Sequence, residues 1–334
     1  MRRVLVTGAT GFLGREVVRA LADRGDEPVA SGRDAARLGD LRDAGLRTLS
    51  LDLSDREAVA EACGTPGPLD AVVHCAALSS PWGSRSAFEA ANVTGTRSAV
   101  ALARAGGARR LVHISSPSVC FAFRDRLMVR EDEPLPAPAN AYAATKAVSE
   151  ALVLGAGECG PIVLRPRAIY GRGDTTLLPR LLRAARSGPL PLMRDGLAVT
   201  DPTHVSDVVG AVLAALDAAT HAEGHVVNVS GGEPVPMRRM VEESCARAGL
   251  TPRWRRVPVR LAMTAAAAME AVARWRPGRP EPRATRYAIG TLAYSQTLDP
   301  ARARALLGWE PRIGFDEGLA LTFEGSRNDR GSAA

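Results

Sequence analysis

The stretch Thr7-Gly8-Ala9-Thr10-Gly11-Phe12-Leu13-Gly14 lies between a short β-rich run, Val4-Leu5-Val6, and a segment with helical periodicity. A glycine-rich turn that joins a strand to a helix suits a dinucleotide, because the helix N-terminus offers free N–H groups and the positive end of its dipole to a phosphate. Gly8 permits the tight turn, Gly11 lets the backbone approach a pyrophosphate, and Gly14 allows the helix to pack closely on the strand. The spacing is GxxGxxG rather than GxGxxG, and it predicts a nucleotide-binding loop.

Short β-rich runs alternate with helix-like stretches through the first half of the chain. The later runs are residues 28–30, 49–51, 71–74, 111–114 and 162–164. This alternation predicts an α/β fold, a doubly wound parallel sheet of the Rossmann type covered by helices on both faces. We assign the sheet to residues 1–170, with additions from about 200–230, a smaller irregular substrate lobe to 171–325, and a disordered tail to 326–334.

Composition excludes several classes of protein. The 334 residues are 46% hydrophobic and 24% charged, typical of a globular chain with a sizeable core. The five cysteines are scattered without metal-ligand spacing, which argues against a zinc site or disulfide framework and favours a cytoplasmic location. No apolar run is long enough for a membrane span.

The formal charge of +7 raises the question of nucleic-acid binding. The arginines are interleaved with 36 acidic residues, and only residues 253–256 form a compact basic cluster. We therefore expect a small-molecule partner, with anionic small molecules fitting this charge better than nucleic acid.

One residue type is nearly missing. Of the 43 basic residues, 42 are arginine and one, Lys146, is lysine. Codon bias explains the arginines, and the surviving lysine marks a position where a guanidinium does not substitute. Lys146 follows Tyr142 by four residues, which places both on one face of a helix. A nearby cation favours the phenolate, so this pair predicts a tyrosine of lowered pKa that transfers a proton near neutrality; the alternative is an exposed helix with an incidental pair.

Hydroxyl groups follow the run at 111–114, in Ser115-Ser116-Pro117-Ser118. Ligands of doubly wound sheets bind at the carboxyl ends of the strands, where a hydroxyl donates to a carbonyl oxygen as negative charge develops. Turn hydrogen bonding is the simpler interpretation for Ser115 and Ser118. His74 and His113 lie within apolar runs and are interpreted as core histidines, and His204 as a residue at a helix start.

The second strand ends in Ala30-Ser31-Gly32-Arg33 without the acid that usually binds a free ribose 2′-hydroxyl. Gly32 leaves room there and Arg33 offers a fork to a 2′-phosphate, so NADP(H) is favoured over NAD(H). The alternative is that Asp34 turns back onto the ribose and NAD(H) is used. Asp52 and Leu53 are expected beside the adenine, although Asp52 is also a candidate cap for a helix over 54–62.

Together these motifs resemble the extended short-chain dehydrogenase/reductase family. The resemblance extends through His74-Cys75-Ala76-Ala77, Asn92 to Thr96, Leu164-Arg165-Pro166, Ile169-Tyr170-Gly171, His204 to Val208, Asn228 to Gly232 and Leu307 to Pro311. It implies that Ser116 is the catalytic hydroxyl, Tyr142 the proton donor, and Lys146 the lysine that binds ribose and lowers the tyrosine pKa. It further implies a cofactor-binding set, namely Gly8, Thr10, Gly11, Phe12, Leu13, Gly14, Ser31, Arg33, Asp52, Leu53, Ala76, Ala77, Tyr142, Lys146, Pro166, Ala168 and Ile169.

Residues 281–287, 292–295 and 299–303 look like 3β-hydroxysteroid dehydrogenases and bacterial 2-alkyl-3-oxoalkanoate reductases. This resemblance implies an NADPH-dependent ketoreductase for a hydrophobic ketone or β-keto acid and a possible homodimer. Trp82, Phe121, Phe123 and residues 261–273 are candidates for an apolar pocket or lid, the last also for core or interface.

Two other functions stay open, a nucleotide-sugar epimerase of the same family and a non-catalytic dinucleotide sensor. Against sugar chemistry, Pro117-Ser118 stands where sugar-nucleotide dehydratases show an Asp-Glu pair, and Cys120-Phe121 where epimerases often carry Tyr-Gly. The intact set of Ser116, Tyr142 and Lys146 argues against a sensor.

Overall fold

Strands and helices alternate through residues 1–328, the part of the chain that the computed structural model describes. The strands are β1 (Arg3–Thr7), β2 (Glu27–Gly32), β3 (Arg47–Ser50), β4 (Ala71–His74), β5 (Arg110–Ile114), β6 (Arg126–Val129), β7 (Pro161–Pro166), β8 (Ile169–Tyr170), β9 (Leu190–Leu192), β10 (Val199–Thr200), β11 (Thr203–His204), β12 (His225–Val229), β13 (Val235–Pro236), β14 (Trp254–Arg256) and β15 (Gln296–Leu298). The helices are α1 (Phe12–Asp23), α2 (Ala35–Asp43), α3 (Arg56–Ala62), α4 (Arg85–Phe88), α5 (Gly95–Ala105), α6 (Ala141–Leu154), α7 (Leu177–Ser187), α8 (Val205–Asp217), α9 (Met237–Arg247), α10 (Val259–Trp275), α11 (Arg286–Ala293), α12 (Ala301–Leu307) and α13 (Phe315–Asn328).

The central sheet has seven strands in the order β12-β7-β5-β4-β1-β2-β3, and every neighbouring pair is parallel. From β1 the chain winds outward to β3 and then returns to β4 to continue on the other side. The strand order therefore reverses between β1 and β4, and ligands of such sheets bind in the crevice at the carboxyl ends of those strands. This topology confirms the predicted doubly wound Rossmann fold.

Residues on β1 alternate between two buried layers. Val4 and Val6 belong to the cluster that contains Val17 of α1 and Val208 of α8. Leu5 points to the opposite layer, which contains Leu102 of α5. Helices thus cover both faces of the sheet, and the near-continuous apolar runs in the sequence reflect this double burial.

The smaller lobe contains a four-stranded sheet of order β13-β10-β15-β6 and two short pairs, β11 with β8 and β14 with β9. Helix α8 packs on the large sheet and strand β12 pairs with β7 at its edge. Both lie at about 200–230, where additions to this sheet were expected. The expected division of the two lobes at residue 170 is not exact. After β5 the chain leaves the large sheet, and β6 pairs with β15 of the smaller lobe.

Helix α13 continues to Asn328, so the prediction of a disordered tail is wrong for residues 326–328, which are helical. The rest of the predicted tail, residues 329–334, lies outside the described residues. The apolar stretch at 261–273 lies within α10, whose buried residues include Ala262, Ala266 and Ala273. Between residues 1 and 328, none of the helices combines the length and the apolarity needed to cross a bilayer.

Candidate active site

The glycine loop folds back on itself between β1 and α1. Gly8 has a φ of +68°, and a Cβ there would lie 2.7 Å from the backbone nitrogen of Ala76. A Cβ on Gly14 would lie 2.2 Å from the carbonyl oxygen of Gly8. Gly11 occupies the N-cap of α1 and supplies no side chain to the helix N–H groups. This cradle, closed to side chains and lined by uncapped N–H groups, fits a dinucleotide pyrophosphate.

The end of β2 brings two arginines to the loop. Nη1 of the exposed Arg33 lies 3.4 Å from Oδ2 of Asp52. Nη1 of Arg37, which the sequence analysis missed, donates to the carbonyl oxygen of Thr10 at 3.0 Å. A Cβ on Gly32 would lie 2.9 Å from Thr10, so the chain is tightly packed here.

The acids near this point are used locally. Asp34 is the N-cap of α2 and accepts a hydrogen bond from the backbone of Arg37 at 3.1 Å. The alternative that Asp52 caps the following helix is wrong, since Asp55 caps α3. Asp52 instead accepts from both the backbone N–H and the hydroxyl of Ser54. Its adjacent residue, Leu53, is buried.

Helix α6 carries the tyrosine–lysine pair, and Asn140 caps its N-terminus. The side chain of Lys146 is 1% exposed, and Nζ donates to the carbonyl oxygen of Ile114 at 2.6 Å. It also lies 3.2 Å from Nε2 of His113. Burial lowers the pKa of Lys146 to about 8, while the negative charge of Glu150 opposes that shift. The alternative of an exposed, incidental pair is therefore wrong for the lysine.

The predicted lowering of the Tyr142 pKa is also wrong in this structure. Burial raises the pKa of Tyr142 above its ordinary value, and hydrogen bonds from the hydroxyls of Ser116 and Ser79 offset only part of that rise. The physical reason is that the phenol loses solvation while the Lys146 ammonium is bonded to Ile114 and His113. Ser79 is a further residue that the sequence analysis missed.

The three serines after β5 have different surroundings. Ser116 caps a short 3-10 turn over Pro117–Cys120, and its Oγ accepts from the backbone N–H of Ser118 at 3.2 Å. Ser115 donates to Glu150 of α6 at 2.5 Å, and Ser118 Oγ has no hydrogen-bond partner among the described residues, so the expected turn hydrogen bonds are absent for both. Ser118 is buried. Of the three, Ser116 is the one that reaches Tyr142.

His74 and His113, on the neighbouring strands β4 and β5, stack on each other beside Lys146, with ring centroids 5.1 Å apart. His74 contacts the hydroxyls of Thr7 at 2.7 Å and Thr96 at 3.0 Å. Burial lowers the pKa of His74 to about 3 and that of His113 well below its ordinary value. Both are neutral core histidines, as interpreted. His204 caps α8, which confirms its assignment to a helix start.

A buried ion pair supports α6 one turn beyond Lys146. Glu150 accepts from Nε and Nη2 of Arg165 at 2.8 and 2.7 Å, in a bidentate arrangement. Ser115 donates to the same carboxylate, and Arg165 also contacts the sulfur of Cys120 at 3.3 Å. This network links α6, β7 and the serine segment, and so fixes the pair relative to Ser116.

An aromatic wall stands beside the hydroxyl groups. Phe121 contacts Phe123 and Tyr287 edge to face, at centroid distances of 5.3 and 5.1 Å. Tyr287, on α11, is electrostatically coupled to Tyr142 and Arg167, and burial raises its pKa to about 12. The smaller lobe therefore contributes a side chain to the site that sequence patterns did not single out.

The segment after β7 carries the residues expected beside the nicotinamide. Pro166 ends β7, Ile169 begins β8, and Ala168 has a φ of +44°, a conformation that costs a non-glycine residue free energy. Between them, Arg167 is buried and lies 3.6 Å from Asp201. Ala76 and Ala77 follow β4 on the other side of the crevice.

Residues 4–230 match the model of the NAD dependent epimerase/dehydratase family, and the chain belongs to that family. It is 34% identical to a 2-alkyl-3-oxoalkanoate reductase of Stenotrophomonas maltophilia, over 95% of this chain and 97% of that protein. It is 29% identical to a 3-beta-hydroxysteroid dehydrogenase of Mycolicibacterium neoaurum, over 95% and 89% of the two chains. The solved structure of MoeE5 in complex with UDP-glucuronic acid and NAD has a TM-score of 0.75 and 28% identity, covering 98% of this chain and 99% of that one.

These similarities confirm the resemblance to extended short-chain dehydrogenases/reductases of the 3β-hydroxysteroid dehydrogenase and 2-alkyl-3-oxoalkanoate reductase type. They identify the chain as an NAD(P)-dependent oxidoreductase. The sensor hypothesis, a dinucleotide-binding protein without catalysis, is not favoured by them.

Proposed function

We propose that the protein is an NADPH-dependent ketoreductase that reduces a carbonyl of a hydrophobic ketone or a β-keto acid. The observation that carries the proposal is that α6 places Tyr142 and the buried Lys146 on one face, where a hydrogen bond from Ser116 offsets part of the rise that burial causes in the pKa of Tyr142. Beside them, Tyr287 and the exposed Phe123 pack on the buried Phe121. Such a site combines donors for a carbonyl oxygen with apolar surface for the rest of the substrate. The similarity to a 2-alkyl-3-oxoalkanoate reductase supports it.

In the proposed reaction, Ser116 and Tyr142 donate hydrogen bonds to the carbonyl oxygen of the substrate. A nicotinamide cofactor held by the glycine loop would supply the hydride for the carbonyl carbon. As negative charge grows on the oxygen, Tyr142 transfers its phenolic proton there, and the product is the alcohol. Lys146 would bind the cofactor ribose, and hydrogen bonds from Ser116 and Ser79 would stabilise the resulting phenolate.

A β-keto acid also carries a carboxylate, for which Arg167 is the proposed partner. Its guanidinium is buried near Tyr287, and its Nε lies 3.6 Å from Oδ1 of Asp201. A guanidinium binds a carboxylate with good geometry in such a site.

For the cofactor, we propose a preference for NADP(H). Arg33 follows β2 and Arg37 lies in the first turns of α2, and Asp34, the first acid after the strand, is engaged as a helix cap and pairs with Arg37. A 2′-phosphate would meet these two arginines. The preference is tested by comparing kcat/KM with NADPH and NADH; equal use of both, or a tenfold preference for NADH, contradicts it. Arg33→Ser should reduce kcat/KM for NADPH and spare NADH.

A second candidate, a nucleotide-sugar epimerase, is favoured by the similarity to the structure of MoeE5 with UDP-glucuronic acid and NAD. The two functions differ in net redox change. The test is turnover of long-chain β-keto acids, hydrophobic ketones and UDP-sugars, following NADPH absorbance and sugar isomers in parallel. Stoichiometric oxidation of NADPH with a keto substrate supports the ketoreductase, and isomerisation of a UDP-sugar without net oxidation overturns it. Tyr142→Phe should abolish turnover and retain cofactor binding.

We also propose a cytoplasmic location and a homodimer. The described cysteines are all free thiols, which suits a reducing compartment. A groove of about 400 Å³ runs along the outer side of α5 and α6, and it is lined in part by Val93, Ala144 and the exposed Val148. Sedimentation velocity tests the dimer, and Val148→Glu should shift it towards monomer.

A further inference from the structure

One face of α10 is apolar and exposed. Leu261, Ala265, Ala268, Val272 and Trp275 follow one another at intervals of four, three, four and three residues, which places them in a single stripe. The exposed fractions are 61% for Leu261, 58% for Val272 and 90% for Trp275. We call these five residues the α10 stripe. A contiguous apolar surface ending in an exposed tryptophan marks an interaction site.

The orientation of α10 is fixed by its other face. Ala262 and Ala266 pack in a cluster with Ile289 and Ala293 of α11. Glu270 is buried and binds Arg286 at 3.1 Å. The buried face of α10 therefore packs within the smaller lobe, and the exposure of the α10 stripe does not come from a misoriented helix.

The surplus charge of the protein lies in the same segment. Residues 253–286 contain nine arginines and two glutamates, a net charge of +7, and the 34 basic and 34 acidic residues elsewhere cancel. Arginines and acids are interleaved elsewhere in the chain, and this segment, which includes the basic cluster at 253–256, extends the excess of positive charge to residue 286. Both glutamates are engaged, Glu270 with Arg286 and Glu281 with Arg180.

Three exposed arginines follow the end of the stripe. Arg276, Arg279 and Arg283 have no side-chain hydrogen bond or ion pair to any residue in 1–328. Their charge is available to an external anion. The segment after α10 therefore combines unpaired positive charge with the tryptophan end of an apolar helix face.

We propose that the α10 stripe and Arg276, Arg279 and Arg283 dock this protein on an anionic lipid bilayer surface. An interfacial helix inserts its apolar side to the level of the acyl boundary while adjacent arginines bind anionic headgroups. A second copy does not satisfy the surface as well, since a two-fold contact would bring two such positive segments together. Nucleic acid would match the charge and leave the stripe without an apolar partner.

The docking surface is connected to the candidate active site. The guanidinium of Arg274 lies over the ring of Trp82, 5.7 Å from its centroid, and Trp82 donates through Nε1 to the carbonyl oxygen of Arg279 at 2.9 Å. Trp82 lies three residues after Ser79, whose hydroxyl reaches Tyr142. When the protein is docked, the loop that contains Trp82 and borders the candidate active site would therefore face the bilayer. This last step rests on the proposed function, because it concerns a hydrophobic ketone dissolved in lipid.

Sedimentation with vesicles tests the docking without substrate or turnover. The full chain is mixed with phosphatidylcholine vesicles containing 30% phosphatidylglycerol, or none, at low and high salt. We expect binding to the anionic vesicles, at least tenfold weaker binding to the neutral ones, and weakening with salt. Val272→Ser/Trp275→Ser and Arg276→Gln/Arg279→Gln/Arg283→Gln should each reduce affinity at least tenfold, since each arginine contributes roughly fivefold.

Matched variants separate this surface from general effects. Leu197→Ser removes another apolar side chain, 70% exposed, and Arg56→Gln/Arg109→Gln/Arg247→Gln removes three exposed arginines elsewhere. Both should bind vesicles as the unaltered protein does, and NADPH binding by all variants checks the fold. The proposal is overturned if the protein stays in the supernatant, if neutral vesicles bind equally, or if the control variants lose as much as the docking variants. A stripe variant that only converts dimer to monomer would assign this face to a second copy. Failure to reduce any ketone would overturn the proposed function and leave the docking result standing.

Discussion

Lys146 shows what a single side chain reveals at the level of sequence and what it does not. Its rarity among 42 arginines and its spacing from Tyr142 singled it out. The structure adds that it is among the largest side chains with almost no exposure, with Nζ held by Ile114 and His113. Residue identity and helical spacing give the pair, whereas the degree of burial, and hence the direction of each pKa shift, depends on the packed protein.

Lys146→Arg preserves the charge and should still reduce kcat/KM at least 100-fold. The planar guanidinium is larger than the ammonium, and the space beside Ile114 and His113 is closed at contacts of 2.6 and 3.2 Å. Steady-state kinetics with NADPH and a keto substrate measure the loss. Arg109→Lys, an exchange between the same two residue types at an exposed position outside the site, is the control and should keep the turnover. Near-normal activity in Lys146→Arg would show that the lysine is incidental.

The pKa of Lys146 also predicts how stability depends on pH. The pKa falls from its ordinary value of 10.5 to about 8 in the folded protein, so between these values the unfolded chain binds more protons than the folded one. The free energy of unfolding must therefore rise with pH through this window, by about 3 kcal/mol from this group, and the cost is present in full below pH 8.

The comparison that isolates this effect is with Lys146→Met, an apolar side chain of similar length. Denaturant unfolding of both proteins at pH 7, 8, 9 and 10 gives the difference in unfolding free energy, in which contributions of other groups cancel. That difference should move in favour of the unaltered protein as the pH rises above 8. A difference independent of pH would mean that Lys146 titrates normally.

At the scale of elements, α6 presents Tyr142, Lys146 and Glu150 at successive intervals of four residues on one face. The first two were found from sequence, and the third carried the same signal, an acid four residues after the lysine. Its partner Arg165 lies on β7, and no local pattern pairs a helix residue with a strand that follows it in the fold. Sheet register decides that contact.

Glu150→Gln should both destabilise the protein and change its pH profile. Removing one partner of a buried ion pair leaves Arg165 uncompensated and costs about 3–5 kcal/mol. Lys146 loses its positive charge above its pKa of about 8, so activity should fall there. The charge of Glu150 raises this pKa, so Glu150→Gln should move that fall in activity to lower pH. The measurements are denaturant unfolding and kcat/KM against pH.

Glu158→Gln provides the matched control for this change. Glu158 pairs with Arg104 at the surface, where solvent screens the charges, so its substitution should leave both the stability and the pH profile within error. A Glu150→Gln protein that is less stable with an unmoved pH profile would assign Glu150 a structural role alone.

Local patterns predicted whole elements well where the chain signals its own boundaries. The predicted run at 71–74 coincides with β4, and those at 111–114 and 162–164 lie within β5 and β7, because a buried parallel strand is a short apolar run in the sequence. The cap of α3 was assigned to Asp52 instead of Asp55, since both acids precede the helix and only the backbone path separates them. The pairing of β6 with β15 joins segments about 170 residues apart, which a local pattern does not specify.

On the scale of the whole molecule, the two lobes interlock. The chain first enters the smaller lobe with β6, enters it again after β8, and then returns to add α8 and β12 to the large sheet. Trp309, after α12, donates to the carbonyl oxygen of Asp207 in α8 at 3.2 Å. Alternating strands and helices were enough to predict the first sheet, but the order in which later segments return to it is a tertiary property.

This interlocking predicts that residues 1–170 do not fold alone, although they contain the nucleotide loop and the Tyr142–Lys146 pair. Without α8 and β12, strand β7 keeps β5 but loses its other neighbour in the sheet. The apolar layer that Val208, Val212 and Val227 cover is then exposed to solvent. Three chains test this: residues 1–170, 1–230 and 1–328. We expect a cooperative thermal transition and NADPH binding in 1–328, aggregation or no transition in 1–170, and partial recovery in 1–230, which regains α8 and β12 but lacks the Trp309 contact. If residues 1–170 unfold cooperatively and bind NADPH with the affinity of the full chain, the large sheet is an independent domain and the later segments only decorate it.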